Sequence, residues 1–234
     1  QVEVSSNRIK TNLSPIEKEL KMNRERLMSL EHGSTKGQKF YPDTLTHAEV
    51  EKLVEIARGS GKAISKIRNS ALITVLWRTG IRVGEALNLK PSDYDSKTHT
   101  LRVVSTKTRN CRRVGLDIRT VETLEKWLER RESLKIKRGQ PIFCLLEKGK
   151  EGSGMINQYL NRLLKKLATK AGIEKRLHCH IFRHTFASEL LHEGFKLNQI
   201  QCALNHNRIS TTSVYLRSIS SDSETIEAMK ERIV

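Results

Sequence analysis

Apolar residues recur every three or four positions through most of the chain, and this spacing predicts a largely helical protein. Thr46 and Glu49 form a capping box, which marks the start of the first helix of the main region. The segment 66–79 is apolar on most faces and stops at Gly80, so we expect it to lie at the centre of the domain. The predicted helices cover 46–59, 66–79, 83–89, 118–131, 155–170, 180–192, 197–204 and 211–216, and the charged tail 222–232 has room for one more.

One hairpin interrupts the helical pattern. Residues 101–105 and 111–116 are rich in Val and alternate in polarity, and they flank a tight polar turn at 106–110, as antiparallel strands do. A shorter strand is predicted at 142–145, before a loop at 147–154 that is rich in Gly, Lys and Glu. The predicted fold class is therefore mainly α with a small antiparallel β-sheet.

The first forty residues are polar and poor in large apolar side chains. Residues 14–17 form a capping box with Pro at the first helical position, and they predict a helix over about 15–31. Its apolar stripe is narrow, so we expect it to dock on a neighbour or bridge domains rather than form a core. The segment 33–42 is typical of a linker, and the main domain begins at about residue 44.

The 234-residue chain carries 43 Lys and Arg residues against 26 Asp and Glu residues, a formal net charge of +17. Such a surplus attracts a polyanion, with nucleic acid the first expectation and an anionic membrane surface the second. No apolar run approaches the roughly 20 residues that span a membrane, and no signal peptide is seen, so we expect neither a membrane span nor export. The four cysteines are spaced too widely for a disulfide framework or a zinc module, and we expect them to be reduced in the cytosol.

Two pairs of residues at helical spacing are candidates for binding an anion. His180 and Arg183 are three positions apart, so on a helix they project from one face and could grip one small anion. Arg82 comes just after the helix end at Gly80, and Glu85 is placed to hold its guanidinium in one orientation. Taken alone, each pair is explained as well by a cap or a surface ion pair.

Three further candidates lie in or near predicted turns. Lys107 is at the tip of the hairpin, where a flexible ammonium group could reach a ligand over the sheet. His206 and Tyr215 lie on either side of a turn into a helix. A solvated lysine, a capping histidine and a half-buried tyrosine are the plainer explanations.

Together, however, these residue types suffice to cleave a phosphodiester without a metal ion. Two arginines can neutralise the non-bridging phosphate oxygens through charge-assisted bidentate bonds, and histidines can donate to the same oxygens. A tyrosine can attack phosphorus, and a lysine can protonate the departing alkoxide.

Four blocks of sequence resemble the tyrosine recombinases, the phage integrase family, and the resemblance covers about residues 44–220. The blocks are TGIRVGEALNL at 79–89, STKT at 105–108, HIFRHTFASELL at 180–191 and LNHNRISTTSVYLR at 204–217. Their order and spacing are those of the family, so the resemblance implies the catalytic-domain fold of a tyrosine recombinase.

The resemblance also implies roles for single residues. Tyr215 would be the nucleophile, forming a 3′-phosphotyrosine bond and freeing a 5′-hydroxyl, and Lys107 would protonate the departing 5′ oxygen. The residues that would stabilise the pentacoordinate phosphorane are Arg82, Arg183, His180 and His206. Glu85 matches the acidic position of the family and would support the site from behind.

Family members usually carry a helical core-binding domain before the catalytic domain, whereas only about forty residues precede it here and the first is Gln1. We expect a chain cut within that region, and a naturally short recombinase is the alternative. Residues 1–43 would then be a basic helical segment and linker, the remnant of a core-binding region. Residues 44–218 would be the catalytic domain, and 219–234 a tail whose helix docks on a neighbouring protomer.

We expect no cofactor. A phosphotyrosine bond retains the energy of the phosphodiester, so ATP is not needed, and no GxxxxGK[ST] loop is present. No clustered trio of Asp and Glu that could hold a catalytic metal is seen. The histidines at 178, 180 and 184 with Cys179 could instead suggest zinc, but adjacent residues diverge in direction.

Four more arginines near the catalytic positions are expected to contact neighbouring DNA phosphates, a role that does not depend on DNA sequence. They are Arg109, Arg112, Arg113 and Arg208. A solvated basic face explains them equally well.

The expected function is site-specific recombination of double-stranded DNA by a homotetramer that joins two DNA sites, with accessory DNA-bending proteins as further partners. Three alternatives stay open: a type IB topoisomerase that relaxes one duplex as a monomer, a DNA-binding module that has lost catalysis, and a metal-dependent nuclease. The expected location is the cytoplasm of a prokaryotic cell, on its DNA or on that of a virus or mobile element.

Overall fold

The computed structural model describes residues 43–105 and 110–204. Several predicted segments lie outside these residues: the helix at 15–31, the linker at 33–42, most of the hairpin turn, the helix at 211–216 and the tail at 222–232.

Helices make up most of the described chain. Their bounds are α1 His47–Gly59, α2 Ala63–Thr79, α3 Val83–Asn88, α4 Ile118–Ser133, α5 Asn157–Ala171, α6 Ile181–His192 and α7 Leu197–Leu204. All were predicted from apolar spacing, and α2 begins earlier than expected because Ala63 and Ile64 extend its first turn. None of these described helices is long and apolar enough to cross a bilayer.

The helix starts follow the polar side chains before them. The predicted capping box is confirmed at α1, where the backbone N–H of Glu49 donates to Thr46 Oγ1 at 3.2 Å and that of Thr46 donates to Glu49 Oε2 at 2.7 Å. Asp117 caps α4 in a similar way, accepting from the backbone N–H of Thr120 at 2.8 Å. These bonds satisfy N–H groups that have no partner within the helix.

A three-stranded antiparallel sheet, whose strands neighbour one another in chain order, lies beside the helices. The predicted hairpin is confirmed as β2, Thr100–Val104, paired with β3, Cys111–Gly115. The short edge strand β1, Tyr94–Asp95, follows a 3₁₀ turn at Pro91–Asp93 and was not predicted, because two residues are too few to show a periodic pattern.

The prediction of a strand at 142–145 is wrong. These residues form a loop, in which the pairing of Cys144 with Gly154 is an isolated β-bridge and not part of a strand. Ile142, Phe143 and Cys144 are fully buried, so the apolar run reflects a loop that passes through the core rather than a strand. The backbone N–H of Ile142 donates to the carbonyl of Leu89 at 2.6 Å, outside any sheet.

The central position predicted for α2 is confirmed. Its residues from Ala71 to Trp77 are buried, and α1, α4 and α6 all pack against it. A helix that is apolar all round is stable only when neighbours cover every face. Because α2 is fixed on several sides, its carboxyl end is a firm starting point for the residues that follow Gly80.

Candidate active site

The turn after α2 depends on a glycine. Gly80 ends α2 with a left-handed backbone, φ +58° and ψ 15°, and its N–H donates to the carbonyl of Leu76. A Cβ atom at position 80 would lie 2.3 Å from Cδ1 of Phe186 on α6. Only glycine therefore combines this backbone conformation with so close an approach of α6.

Arg82 stands directly before α3 and is bound to Glu85 in the first turn of that helix. Its backbone N–H donates to Glu85 Oε2 at 3.0 Å, and its Nη1 donates to Glu85 Oε1 at 3.2 Å. The predicted pairing of these two residues is thus present in the structure. Their spacing of three residues lets one carboxylate cap the helix and hold the guanidinium at once.

Glu85 is only 2% exposed and also accepts hydrogen bonds from the sheet. Arg112 on β3 donates from Nη1 to Oε1 at 3.2 Å and from Nη2 to Oε2 at 2.9 Å. Burial would raise the pKa of the Glu85 carboxyl, but the hydrogen bonds and charges of Arg112 and Arg82 outweigh it and lower that pKa. Glu85 is therefore an ionised carboxylate between two guanidinium groups.

Arg183, the third residue of α6, is buried and held by backbone carbonyl groups. Its Nη1 donates to the carbonyl of Gly80 at 2.7 Å, and its Nη2 donates to the carbonyl of Leu204 at 2.5 Å. One side chain thus ties together the end of α2, the start of α6 and the end of α7. The bond to Gly80 brings Arg183 beside the turn that carries Arg82.

His180 precedes α6 as its N-cap residue. Desolvation and the charges of His178, Arg183 and Arg82 lower the pKa of its imidazole. Both predicted arginines therefore act on this ring, and the ring is kept neutral at neutral pH. His180, Arg183 and Arg82 form one electropositive site at the junction of α2, α3 and α6.

Two further histidines line the same helix start, although they were considered only as zinc ligands. The rings of His178 and His184 pack edge to face with their centroids 6.3 Å apart. Desolvation first, and then the neighbouring cationic groups, lowers the pKa of His184 to about 4. Because His184 resists protonation, it limits the accumulation of positive charge around Arg183.

Cys179 belongs to the packing of this region. Its Sγ donates to Asn161 Oδ1 at 2.9 Å, and burial raises the pKa of its thiol to about 11. Within residues 43–105 and 110–204, no group of three or more His, Cys, Asp or Glu residues is arranged to hold a metal ion.

The structure brings together four of the predicted site residues, Arg82, Glu85, His180 and Arg183. Arg112 joins them through Glu85, whereas Arg113 is exposed on the opposite face of β3. The remaining predicted residues lie outside the described part of the chain: Lys107, Arg109, His206, Arg208 and Tyr215.

The contact between Arg112 and Glu85 was missed by the sequence prediction, which assigned Arg112 and Arg113 alike to DNA phosphates. Strand alternation is the signal that separates them, because neighbouring residues on a strand point to opposite faces. With Val114 facing the core, Arg112 faces inward with it. A contact between Arg112 and DNA stays a prediction.

Comparison with known proteins identifies the family to which this site belongs. Residues 43–221 match the model of the phage integrase family, and the chain belongs to that family. Tyrosine recombinase XerC of Leptospira interrogans is 33% identical over 181 residues, which are 77% of this chain and 56% of that protein. The chain thus spans little more than half the length of the curated relatives that it matches.

Solved structures of tyrosine recombinases are similar to this chain in fold. XerA recombinase superposes with a TM-score of 0.67 at 27% identity, over 97% of this chain and 79% of that one. XerH site-specific recombinase, in a post-cleavage complex with palindromic difH substrate, gives a TM-score of 0.69 at 29% identity, over 82% of this chain and 54% of that one. The fold is that of a tyrosine recombinase, mainly α with a small antiparallel sheet, as predicted.

Proposed function

We propose that this chain is the catalytic part of a site-specific DNA recombinase, which cleaves and rejoins DNA strands through a 3′-phosphotyrosine intermediate. The observation that carries the proposal is the convergence of Arg82, Arg183 and His180 at the junction of α2, α3 and α6. The family membership and the DNA-bound complex of the related XerH support it.

In the proposed reaction, Arg82 and Arg183 bind the non-bridging oxygens of the scissile phosphate and stabilise the charge that develops there. The phenolic oxygen of Tyr215 attacks phosphorus, and the bond from phosphorus to the 5′ oxygen breaks. Lys107 donates a proton to that oxygen, and the neutral His180, in addition to its expected role at the phosphorane, takes the phenolic proton. His206 donates to the phosphorane, and the reverse steps rejoin the strand.

The proposed reaction needs neither a metal ion nor ATP. The phosphotyrosine bond replaces one phosphodiester by another of similar energy, so rejoining requires no external energy source. Fixed guanidinium and imidazole groups supply the electrostatic stabilisation that metal ions supply in other enzymes of phosphate chemistry.

We also propose how the chain is organised for recombination. Residues 44–218 form the catalytic domain, preceded by the basic helical segment and linker 1–43. The tail 219–234 offers an apolar stripe of Ile226, Met229 and Ile233, which supports its docking on a neighbouring protomer. The active assembly is then a homotetramer on two DNA sites, assisted by DNA-bending proteins, in the cytoplasm of a prokaryotic cell.

Covalent capture tests the chemistry directly. The 234-residue protein is incubated in EDTA with a random library of nicked duplexes, quenched in detergent, and the attached DNA is sequenced. Tyr215→Phe removes only the nucleophilic oxygen, so we expect it to bind DNA and form no adduct. Tyr94→Phe is the matched control, because the Tyr94 hydroxyl on the edge strand β1 donates to Glu125 at 2.7 Å and takes no part in the proposed reaction.

The outcomes separate the candidate functions. Adducts with the wild type and Tyr94→Phe, and none with Tyr215→Phe, would support the proposal and reveal the preferred DNA site. Adducts that persist in Tyr215→Phe would mean that another residue is the nucleophile. DNA binding without any adduct would favour a DNA-binding module that has lost catalysis.

A further inference from the structure

The Glu85 carboxylate is the meeting point of two parts of the sequence. It accepts four hydrogen bonds, two from Arg82 in its own helix turn and two from Arg112 on β3, 27 residues away. Each oxygen takes one bond from each arginine. Its position is thus set jointly by α3 and by the sheet.

Arg112 is largely buried, and it bonds to Glu85 through both of its terminal nitrogens. Its side chain is 15% exposed, and both terminal nitrogens form the parallel two-pronged bond that guanidinium and carboxylate groups favour. Its Nε is buried and has no hydrogen-bond partner among the described residues. Arg112 therefore keeps its bonds to Glu85 although its buried Nε has no hydrogen-bond partner among the described residues.

We propose that Arg112 is a positioning residue for DNA strand cleavage, which fixes Arg82 by its two-pronged hold on Glu85. The inference rests on the proposed function, in which Arg82 binds the scissile phosphate. In this proposal Arg112 acts through Glu85.

The physical reason is competition for one buried carboxylate. With Arg112 in place, both oxygens of Glu85 are already engaged from the sheet, and Arg82 bonds to the carboxylate from the other side. Without Arg112, Arg82 is the remaining guanidinium at a buried negative charge. It is then drawn toward a two-pronged bond of its own, away from the position in which it meets the phosphate.

The same contact links two catalytic segments. Arg112 is the second residue of β3, and β3 pairs with β2 up to the end of the hairpin that carries Lys107. Holding Glu85 from β3 therefore fixes the base of that hairpin against α3.

The test compares Arg112→Met with Arg102→Met as a matched control. Arg102 lies on the same hairpin and donates to the carboxylate of Asp93 at 2.6 Å, so its removal also leaves a carboxylate with one cation fewer. Among the described residues, the hydrogen bonds of that pair do not involve Arg82 or Glu85. We expect Arg112→Met to slow single-turnover strand cleavage by roughly 10- to 100-fold at saturating protein, and Arg102→Met to change it by less than about twofold.

Modified substrates show how Arg112 acts. A methylphosphonate at the scissile position removes the charge that Arg82 neutralises. On this substrate we therefore expect the cleavage rates of Arg82→Ala and Arg112→Met both to move closer to the wild-type rate. A 5′-bridging phosphorothiolate provides a leaving group that needs no proton, which relieves a loss of Lys107. If Arg112→Met recovers its cleavage rate on the phosphorothiolate alone, Arg112 acts through the hairpin. If it recovers on neither substrate, the variant has a general folding defect. Either result would overturn the proposal.

A second measurement does not depend on catalysis. In ¹H–¹⁵N spectra of the DNA-free protein, the Nε–Hε signal of Arg82, assigned with Arg82→Lys, should shift in Arg112→Met and stay in place in Arg102→Met. An unchanged Arg82 signal in Arg112→Met would overturn the positioning role even if cleavage slowed. A shifted signal in a chain whose wild type never cleaves DNA would count against the proposed function and leave the positioning contact established.

Discussion

The two arginines of the candidate site are held by different kinds of partner. The bonds from Arg183 to the carbonyl oxygens of Gly80 and Leu204 hold its guanidinium group through uncharged partners. Arg82 is held by a carboxylate, but Glu85 is shared with Arg112, so these three residues together keep one net positive charge. Both arrangements orient a guanidinium while conserving positive charge for a phosphate.

The low pKa of His184 predicts that the folded protein loses stability in mild acid. Its pKa is about 4 in the folded chain and 6.5 by its ordinary value, so above pH 6.5 the ring is neutral in both states and has no effect. As the pH falls from 6.5 toward 4, the unfolded chain takes up the proton first, and the free energy of unfolding falls, by about 2 kcal/mol at pH 5. We expect His184→Gln to lack this part of the acid sensitivity.

The measurement is urea unfolding of both proteins at pH 7.5 and pH 5. His192→Gln, at the exposed end of the same helix, is the matched control for loss of a histidine. A loss of stability between the two pH values that is as large in His184→Gln as in the wild type would contradict the assignment.

At the scale of elements, the site is built from helix ends. The carboxyl end of α2, the amino ends of α3 and α6, and the carboxyl end of α7 meet around Arg183. Helix ends expose backbone groups that lack partners within the helix, and here two such carbonyls orient Arg183. The last turn of α2 is anchored too, because the indole N–H of Trp77 donates to Glu189 of α6 at 2.8 Å.

A side chain at position 80 should disturb the packing of α6 against the end of α2. Gly80→Ala places a side chain at a left-handed position and 2.3 Å from the ring of Phe186. We expect a loss of about 2–4 kcal/mol of unfolding free energy, together with loss of strand cleavage, because α6 and Arg183 must move. Urea unfolding and covalent capture measure the two effects.

Gly172→Ala is the control for the glycine at position 80. Gly172 ends α5 with a similar left-handed φ of +65°, and a Cβ atom added there would meet no other atom within 4 Å. Backbone strain alone should then cost about 1 kcal/mol. Equal losses in the two variants would show that the approach of Phe186 is unimportant.

At the scale of the whole molecule, the net charge of +17 predicts salt-dependent DNA binding. If roughly six to ten phosphates are contacted, the logarithm of the affinity should fall against the logarithm of salt concentration with a slope of about −5 to −9. Fluorescence anisotropy with duplex DNA between low and moderate salt measures this slope.

Two arginine variants locate the contacts. Arg113→Gln should make the slope shallower by about one, since Arg113 is exposed on β3 and is predicted to contact a DNA phosphate. Arg138→Gln removes the same charge from a side chain that is 91% exposed in the loop after α4, and we expect the wild-type slope. Equal changes in both would mean that binding reflects total charge rather than a defined surface.

Much of this protein could be predicted from short-range patterns. Apolar spacing determined all the described helices and the hairpin, because a helix or strand repeats its exposure with a fixed period. It failed at 142–145, where burial comes from a loop passing through the core, and at β1, which is two residues long. The four blocks of sequence were enough to indicate the family.

The types of residue in the candidate site follow from the amino-acid sequence, since its chemistry depends on which side chains are present. Only the tertiary structure decided which of them meet. Strand alternation puts Arg112 and Arg113 on opposite faces of β3, but only the position of the sheet beside α3 decided that Arg112 meets Glu85. Likewise, the sequence predicts that Gly80 ends a helix. Only the close approach of α6 shows that a side chain at this position would clash. Contacts between distant segments depend on how the elements pack, which no local pattern of residues encodes.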